Sequence, residues 1–213
     1  MNNLKLLVCL LLLAPVFIQA QEWGVSIDGA ITYKIEAGKQ NFSPKEPVCP
    51  QFGVDGFEIA VRFPASAWVG LEEWKGDKDW YDWNKLKGET GYFSPNNKSS
   101  VMIAWRWGLV PYTFQLIPYT NQKDGSWTVT GSPVTIYAEE IAYARGLCNR
   151  RSAYYEIEYF GIVTQYEHDW KRPWPWIARE IGTWIGGDNN SPGPYGGKAT
   201  QDMEMEVAFK TYK

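Results

Sequence analysis

The chain has 213 residues, 21 lysines and arginines against 24 aspartates and glutamates, and a formal net charge of −3. That length is one domain's worth, and the mildly acidic balance excludes a nucleic-acid partner, whose phosphates demand a basic surface. A single histidine, His168, and the lack of any CxxC pair exclude an ordinary zinc site.

At the start, Met1 to Lys5 form a short n-region, and Leu6 to Ile18 an almost unbroken apolar run that ends before Gln19 and Ala20. This is the pattern of a secretory signal, with cleavage expected after Ala20. Cys9 raises a lipoprotein reading, which we set aside because Leu10 to Phe17 would then be left as an apolar tether. No later apolar segment is long enough to span a bilayer, so the mature chain, residues 21–213, is expected to be secreted or periplasmic, without an integral membrane segment. Cys49 and Cys148 survive processing and form a candidate disulfide; two separately buried thiols are the alternative.

In chain order, residues 23–37 hold a first strand, with Ile31, Tyr33 and Ile35 alternating against Thr32 and Lys34. Residues 38–51, with three prolines, read as a loop. Gly56 to Pro64 is a second strand, Phe57, Ile59, Val61 and Phe63 pointing one way. From Ala65 to Asn97 neither period fits, and we expect a long, partly ordered excursion carrying Trp68, Trp74, Trp80 and Trp83 among acidic residues. Lys98 to Gly108 is the clearest strand of all: Val101, Ile103, Trp105 and Trp107 share one face, and Met102, Ala104 and Arg106 the other. Tyr112 to Tyr119 returns antiparallel, and Pro118 suggests an edge or a bulge. Lys123-Asp124-Gly125 signals a hairpin, Trp127 to Thr130 is further strand, and Val134 to Ala144 fits strand or helix. Gly146 to Arg151 reads as a turn and Tyr154 to Val163 as a strand. Trp170 to Trp176 is a proline-stiffened loop presenting Trp174 and Trp176. A Gly-rich loop over 186–194 leads to a last strand from Met203 to Phe209.

Many short alternating strands with Gly and Pro turns predict an all-β fold, a two-sheet antiparallel β-sandwich of jelly-roll, concanavalin-like type, in a single domain. The order of Tyr33 to Pro44, Asp82-Trp83-Asn84-Lys85-Leu86 with Gly88, Asn97 to Trp107, then Gly186-Gly187-Asp188-Asn189, Pro192 and the closing Met-Glu-Met-Glu-Val strand resembles a family of uncharacterised small bacterial proteins with a predicted jelly-roll fold. The resemblance implies a fold and little chemistry. Histidines that such relatives often carry are replaced here by Pro95-Asn96-Asn97 and Gly193-Pro194-Tyr195. The C-terminal Gly-Gly loop and Met-containing strand also resemble laminarinase-like, concanavalin-type glucanases, although the Glu-x-Asp-x-x-Glu pattern expected of those enzymes is absent.

Twelve tryptophans and thirteen tyrosines are the most unusual compositional feature, and flat aromatic faces pack on the apolar faces of sugar rings. The expected function is therefore non-catalytic binding of glycan or a cell-surface partner through loop aromatics. Trp74, Trp80, Trp174 and Trp176, with Arg106, are the candidate ligand-binding residues, while Trp105, Trp107 and Trp83 are expected to fill the core. The alternatives are a glycan-degrading enzyme and a structural or assembly protein. A hydrolase would need paired carboxylates, for which Glu156 with Glu158 and Glu204 with Glu206 have a usable spacing, but alternate glutamates are also the ordinary solvated face of a sheet. A lyase would need a tyrosine or histidine base beside an arginine, and Arg106, Arg62 and Tyr159 are of the right types. No cofactor is expected; calcium at Asp188, Asn189 and Asn190 competes with a plain Asx-bonded turn.

Overall fold

The computed structural model describes residues 22–70, 82–173, 176–186 and 197–213. The strands are β1 (Ile31–Ile35), β2 (Gln51–Phe52), β3 (Gly56–Arg62), β4 (Asn84–Gly91), β5 (Ser100–Trp107), β6 (Thr113–Asn121) and β7 (Trp127–Thr128), followed by β8 (Val134–Tyr137), β9 (Ile141–Cys148), β10 (Ser152–Tyr159), β11 (Ile162–Asp169), β12 (Ile177–Ile181) and β13 (Met203–Tyr212). Two sheets result, and the pairs in both are antiparallel: a first in the order β1-β13-β3-β9-β10-β11, and a second in the order β2-β12-β4-β5-β6-β7 with β8 also on β6. The predicted sandwich is the observed one. Among the described residues, helical structure is confined to two short 3₁₀ turns, Ile27–Gly29 and Ala65–Ala67, and no helix is long and apolar enough to cross a membrane.

The interior follows from two-residue alternation. Val101, Ile103, Trp105 and Trp107 of β5 join Phe57, Ile59 and Val61 of β3 and Met203, Met205 and Val207 of β13 in one apolar cluster between the sheets. Phe63 stacks on Phe114 at 4.3 Å and tilts against Trp105 at 5.2 Å, so aromatic rings fill the space where the sheets face each other. The Trp107 indole donates to the Ala67 carbonyl at 2.9 Å, which satisfies its one polar atom.

Several local expectations are corrected. β4 lies inside the stretch expected to be an irregular excursion: its sequence, NKLKGETG, has no run of apolar residues, yet all eight are buried because it is flanked by β5 and β12. A bulge between Lys85 and Lys87 lets neighbouring lysines serve opposite faces, since Lys85 pairs with Ala104 and Lys87 with Ile103. Lys87 reaches into the sandwich, where Glu46 and Glu180 accept from its ammonium and the Tyr33 ring lies 4.5 Å away. Pro118 sits inside a central strand. β8 covers Thr113 to Leu116 and β7 covers Thr120 and Asn121, so the missing N–H falls beside a gap in the second ladder. The 134–144 stretch is two strands joined by a turn at Glu139, whose φ is 68°. β9 continues through Cys148, three residues into the expected turn. The single strand expected over 154–163 is divided between β10 and β11, and β12 follows directly on the expected 170–176 loop, in a stretch given no element from sequence.

The candidate disulfide is also corrected. Cys49 is exposed and free before β2, whereas the alternation of β9 turns Cys148 into the interior, also free. Around Cys148 the core becomes polar. Thr120 Oγ1 lies 2.6 Å from the Tyr155 hydroxyl and 2.8 Å from His168 Nδ1. Glu89 is wholly buried with neither carboxyl oxygen hydrogen-bonded, and burial pushes its pKa up to about 8.

Candidate functional site on the outer face of the second sheet

The outward residues of β4, β5 and β6 are not the polar set that alternation alone suggests. Register puts Lys85, Ala104 and Ile117 in one row, Gly88, Met102 and Tyr119 in the next, and Arg106 opposite Gln115. Met102, Ala104, Ile117, Tyr119 and Ile181 form a second, small apolar cluster, against which Trp83, Val129 and Trp184 pack. The face is therefore a shallow floor of aliphatic and aromatic side chains with charged groups set into it.

The charges are held closely. The Lys85 ammonium donates to the Trp83 carbonyl at 2.6 Å and stands 4.3 Å from the centre of the Tyr119 ring. Burial lowers the Lys85 pKa, with Asp82 opposing that effect. Burial, reinforced by the Asp82 charge, pushes the Tyr119 phenol up to about 12. Arg106 lays its guanidinium 4.1 Å from the Trp83 ring centre and donates from Nε to Gln115 Oε1 at 2.7 Å. Trp127, 63% exposed, stacks on Tyr119 at 5.8 Å and 18°. Gln115, Arg106, Trp83, Lys85, Tyr119 and Trp127 thus form a continuous strip in which cations alternate with flat rings.

Such a strip supplies two things at once. Ring faces accept the apolar faces of sugars, and guanidinium, amide and ammonium donors accept carboxylates or sulfates with charge-assisted hydrogen bonds. A depressed amine pKa moves Lys85 toward the range of a general base, and the Tyr119 phenol holds a proton it can give, but a pKa pushed up to about 12 makes it a weak acid.

Of the expected binding residues, Arg106 lies in this strip. Trp176 does not project from a rim: it is 8% exposed, donates to the Val54 carbonyl at 3.2 Å and meets Trp170 edge-on at 5.3 Å, because the chain turns inward there to start β12. Trp74, Trp80 and Trp174, and the calcium candidates Asp188, Asn189 and Asn190, lie outside the described residues. Trp105 and Trp107 are core as expected, but Trp83 is half-buried and packs outside the second sheet. Arg62, on the first sheet, is engaged by Glu206, so Arg62 and Arg106 do not converge. The paired glutamates are committed elsewhere: Glu156 to Arg145, Glu158 to the Trp23 indole, Glu204 to Lys34 and Glu206 to Arg62. Sequence reading missed Lys85, Gln115, Tyr119 and Trp127 as site residues. Lys85 sits in the Asp82-to-Leu86 motif that carries the family resemblance, which was the available signal.

No protein-family model matches the chain, and no curated protein does. Among solved structures, it is similar to the alginate lyase from Klebsiella pneumoniae (12% identity, TM-score 0.48, covering 75% of this chain and 60% of that one). It is also similar to alginate lyase vAL-1 from Chlorella virus (9%, TM-score 0.40, 88% of each chain). A third is the GH43 protein BlXynB, as its K247S mutant, from Bacillus licheniformis (12%, TM-score 0.40, 75% of this chain and 28% of that one).

Proposed function

We propose that the protein is an exported acidic-glycan-binding protein, holding a uronic-acid polymer along the outer face of the second sheet. The observation that carries this reading is the cation set into an aromatic floor: Lys85 over Tyr119 and Arg106 over Trp83, with Trp127 exposed beside them. A neutral glycan would use the rings alone, whereas a polymer that carries carboxylates would also take charge-assisted hydrogen bonds from the Lys85 and Arg106 head groups set beside them. The reading keeps glycan recognition from the sequence and moves it from loop rims to a sheet face.

The Lys85–Tyr119 pair favours a second reading, β-elimination at the same site. Arg106 and Gln115 would donate to the uronate carboxylate and stabilise the charge that develops there. Neutral Lys85 would take the proton α to the carboxylate as the glycosidic C–O bond at the β carbon breaks and a C=C bond forms. The Tyr119 hydroxyl would give its proton to the departing oxygen. The ammonium and phenolate left behind neutralise each other by one proton transfer, so the cycle closes without a co-reactant.

The test is affinity electrophoresis of the mature chain in gels containing polyuronates, run beside an ultraviolet assay for the conjugated product of elimination. We expect retardation that Arg106→Ala weakens about tenfold, the effect of losing one charge-assisted contact. Unsaturated product that Tyr119→Phe abolishes would establish the second reading. Absence of both retardation and product on every uronate polymer overturns the proposal.

A further inference from the structure

The loops at one end of the sandwich, where β9, β11 and β6 finish, enclose three adjoining recesses that meet at Arg172. One, of about 540 Å³, is lined by Gly53, Arg150, Arg172, Pro173 and Trp176. A second, of about 690 Å³, runs past Arg151, Asp169, Lys171 and Arg172 to Lys123. The third, of about 380 Å³, lies between Asp55, Asn149 and Arg150. Lys123, Arg150, Arg151 and Lys171 are exposed, and no ion pair engages them among the described residues. Lys98 and Lys213 flank the same loops, their side chains reaching Gly125 and Gly53.

The carboxylates present offset this only in part. Asp55 is engaged by Arg172 at 2.9 Å, and Asp124 accepts from the Ser126 N–H and hydroxyl at 2.8 and 2.7 Å. Among the described residues that line the recesses, Asp124, whose charge acts on Lys98, and Asp169 are left to face the exposed cations. While Lys39, Lys45 and Lys198 stand exposed elsewhere, a chain that is net acidic thus places Lys123, Arg150, Arg151 and Lys171 together at one end. Self-repulsion among these cations costs stability unless an anion answers it.

Arg172 gives the groove a fixed centre. Its Nη1 donates to Asp55 and its Nη2 to the Val54 carbonyl at 2.6 Å, with the Trp176 ring 5.5 Å from the guanidinium. The guanidinium plane is held by the turn before β3 and by the indole, so it does not have to be ordered when a ligand arrives. Its Nε is buried and has no acceptor in the protein.

We propose that this groove is a second anion-binding site, independent of the sheet face, that takes the repeating anionic groups of an acidic polysaccharide. A polymer suits it better than a single small ion, because the exposed cations are spread over three connected recesses rather than focused on one point. Sugar carboxylates and sulfates share the required chemistry.

The test uses the mature chain carrying Arg106→Ala and Gln115→Ala, which silence the sheet face, in affinity gels of polygalacturonate, dextran sulfate and neutral dextran. Replacing Arg150, Arg151 and Lys171 together by alanine is expected to raise the Kd for the anionic polymers about tenfold, as three exposed ion contacts of ordinary strength would. It should also flatten the dependence of binding on salt. Replacing Lys39, Lys45 and Lys198, exposed elsewhere, removes the same charge and should change the Kd far less. Retardation by polygalacturonate identifies carboxylates as sufficient, and retardation by dextran sulfate alone identifies sulfates. Equal retardation by neutral dextran, or equal losses from the two triple variants, overturns the groove. If the sheet-face substitutions change nothing while the groove substitutions do, the sheet-face reading falls and the groove stands.

Discussion

Glu89→Gln should make the protein more stable at alkaline pH, and the size of the effect follows from where Glu89 sits. Its carboxyl is fully buried, neither oxygen has a hydrogen-bond partner, and its pKa is raised from an ordinary 4.5 to about 8. Burial is the main cause; Arg172 opposes it, and Glu180 and Asp55 add to it. Each tenfold change in proton affinity is worth about 1.4 kcal/mol, so the full linkage approaches 5 kcal/mol. Below pH 4.5 native and unfolded chains both carry the proton, and the stability is fully present. Between pH 4.5 and 8 the unfolded chain releases the proton while the native one keeps it, so stability falls as pH rises. Above pH 8 the loss is complete. Glutamine copies the protonated acid and cannot ionise. The difference between variant and parent in urea unfolding free energy should therefore be small and constant at acid pH and grow through neutrality by about 1.4 kcal/mol per pH step of one. Parallel curves for the two proteins from pH 5 to 9 would refute the account.

Gly88→Ala should prevent folding or cost roughly 3 kcal/mol or more, since its Cβ would come 2.2 Å from the Val101 carbonyl oxygen and 2.5 Å from Met102 Cα, backbone atoms that cannot move aside; circular dichroism and thermal melting check this. Trp105→Ala removes a wholly buried indole from the centre of the sandwich and should cost about 3 to 5 kcal/mol in denaturant unfolding. A thiol reagent at neutral pH should label Cys49 quickly and Cys148 only on unfolding, because burial both shields the Cys148 thiol and pushes its pKa up; two equally fast equivalents would contradict the placement of Cys148.

The sandwich was legible where one partner face is apolar. β5 and β13 announce themselves by alternation because their inward residues are large hydrocarbons whose burial does not depend on knowing the neighbour. β4 was illegible for the opposite reason. Lys87 is interior because Glu46 and Glu180, far away in sequence, neutralise it, Thr90 because the Lys98 carbonyl across the turn accepts from its hydroxyl at 2.9 Å, and Glu89 is buried with neither carboxyl oxygen hydrogen-bonded. A polar residue can be interior when its partner is supplied by another strand, and no local period records that.

The same physics explains why the candidate site was only partly visible. Arg106 could be assigned to the outward face of β5 from alternation, but its meaning depends on Gln115 across the ladder and on Trp83 above it, and the hydrophobic floor depends on three strands being in register. Alternation places Tyr119 at the end of a strand over 112–119 whose Pro118 suggests an edge or a bulge, and does not show that it stands beside Lys85. Once the gap between β7 and β8 accommodates that proline, the strand runs on to Asn121 and carries Tyr119 into the row beside Lys85. The backbone at Pro118 thus decides whether Tyr119 and Trp127 join the outer face. If β6 were broken at Pro118, Tyr119 would leave the sheet, Trp127 would lose its stacking partner, and Lys85 would have no ring beneath its ammonium.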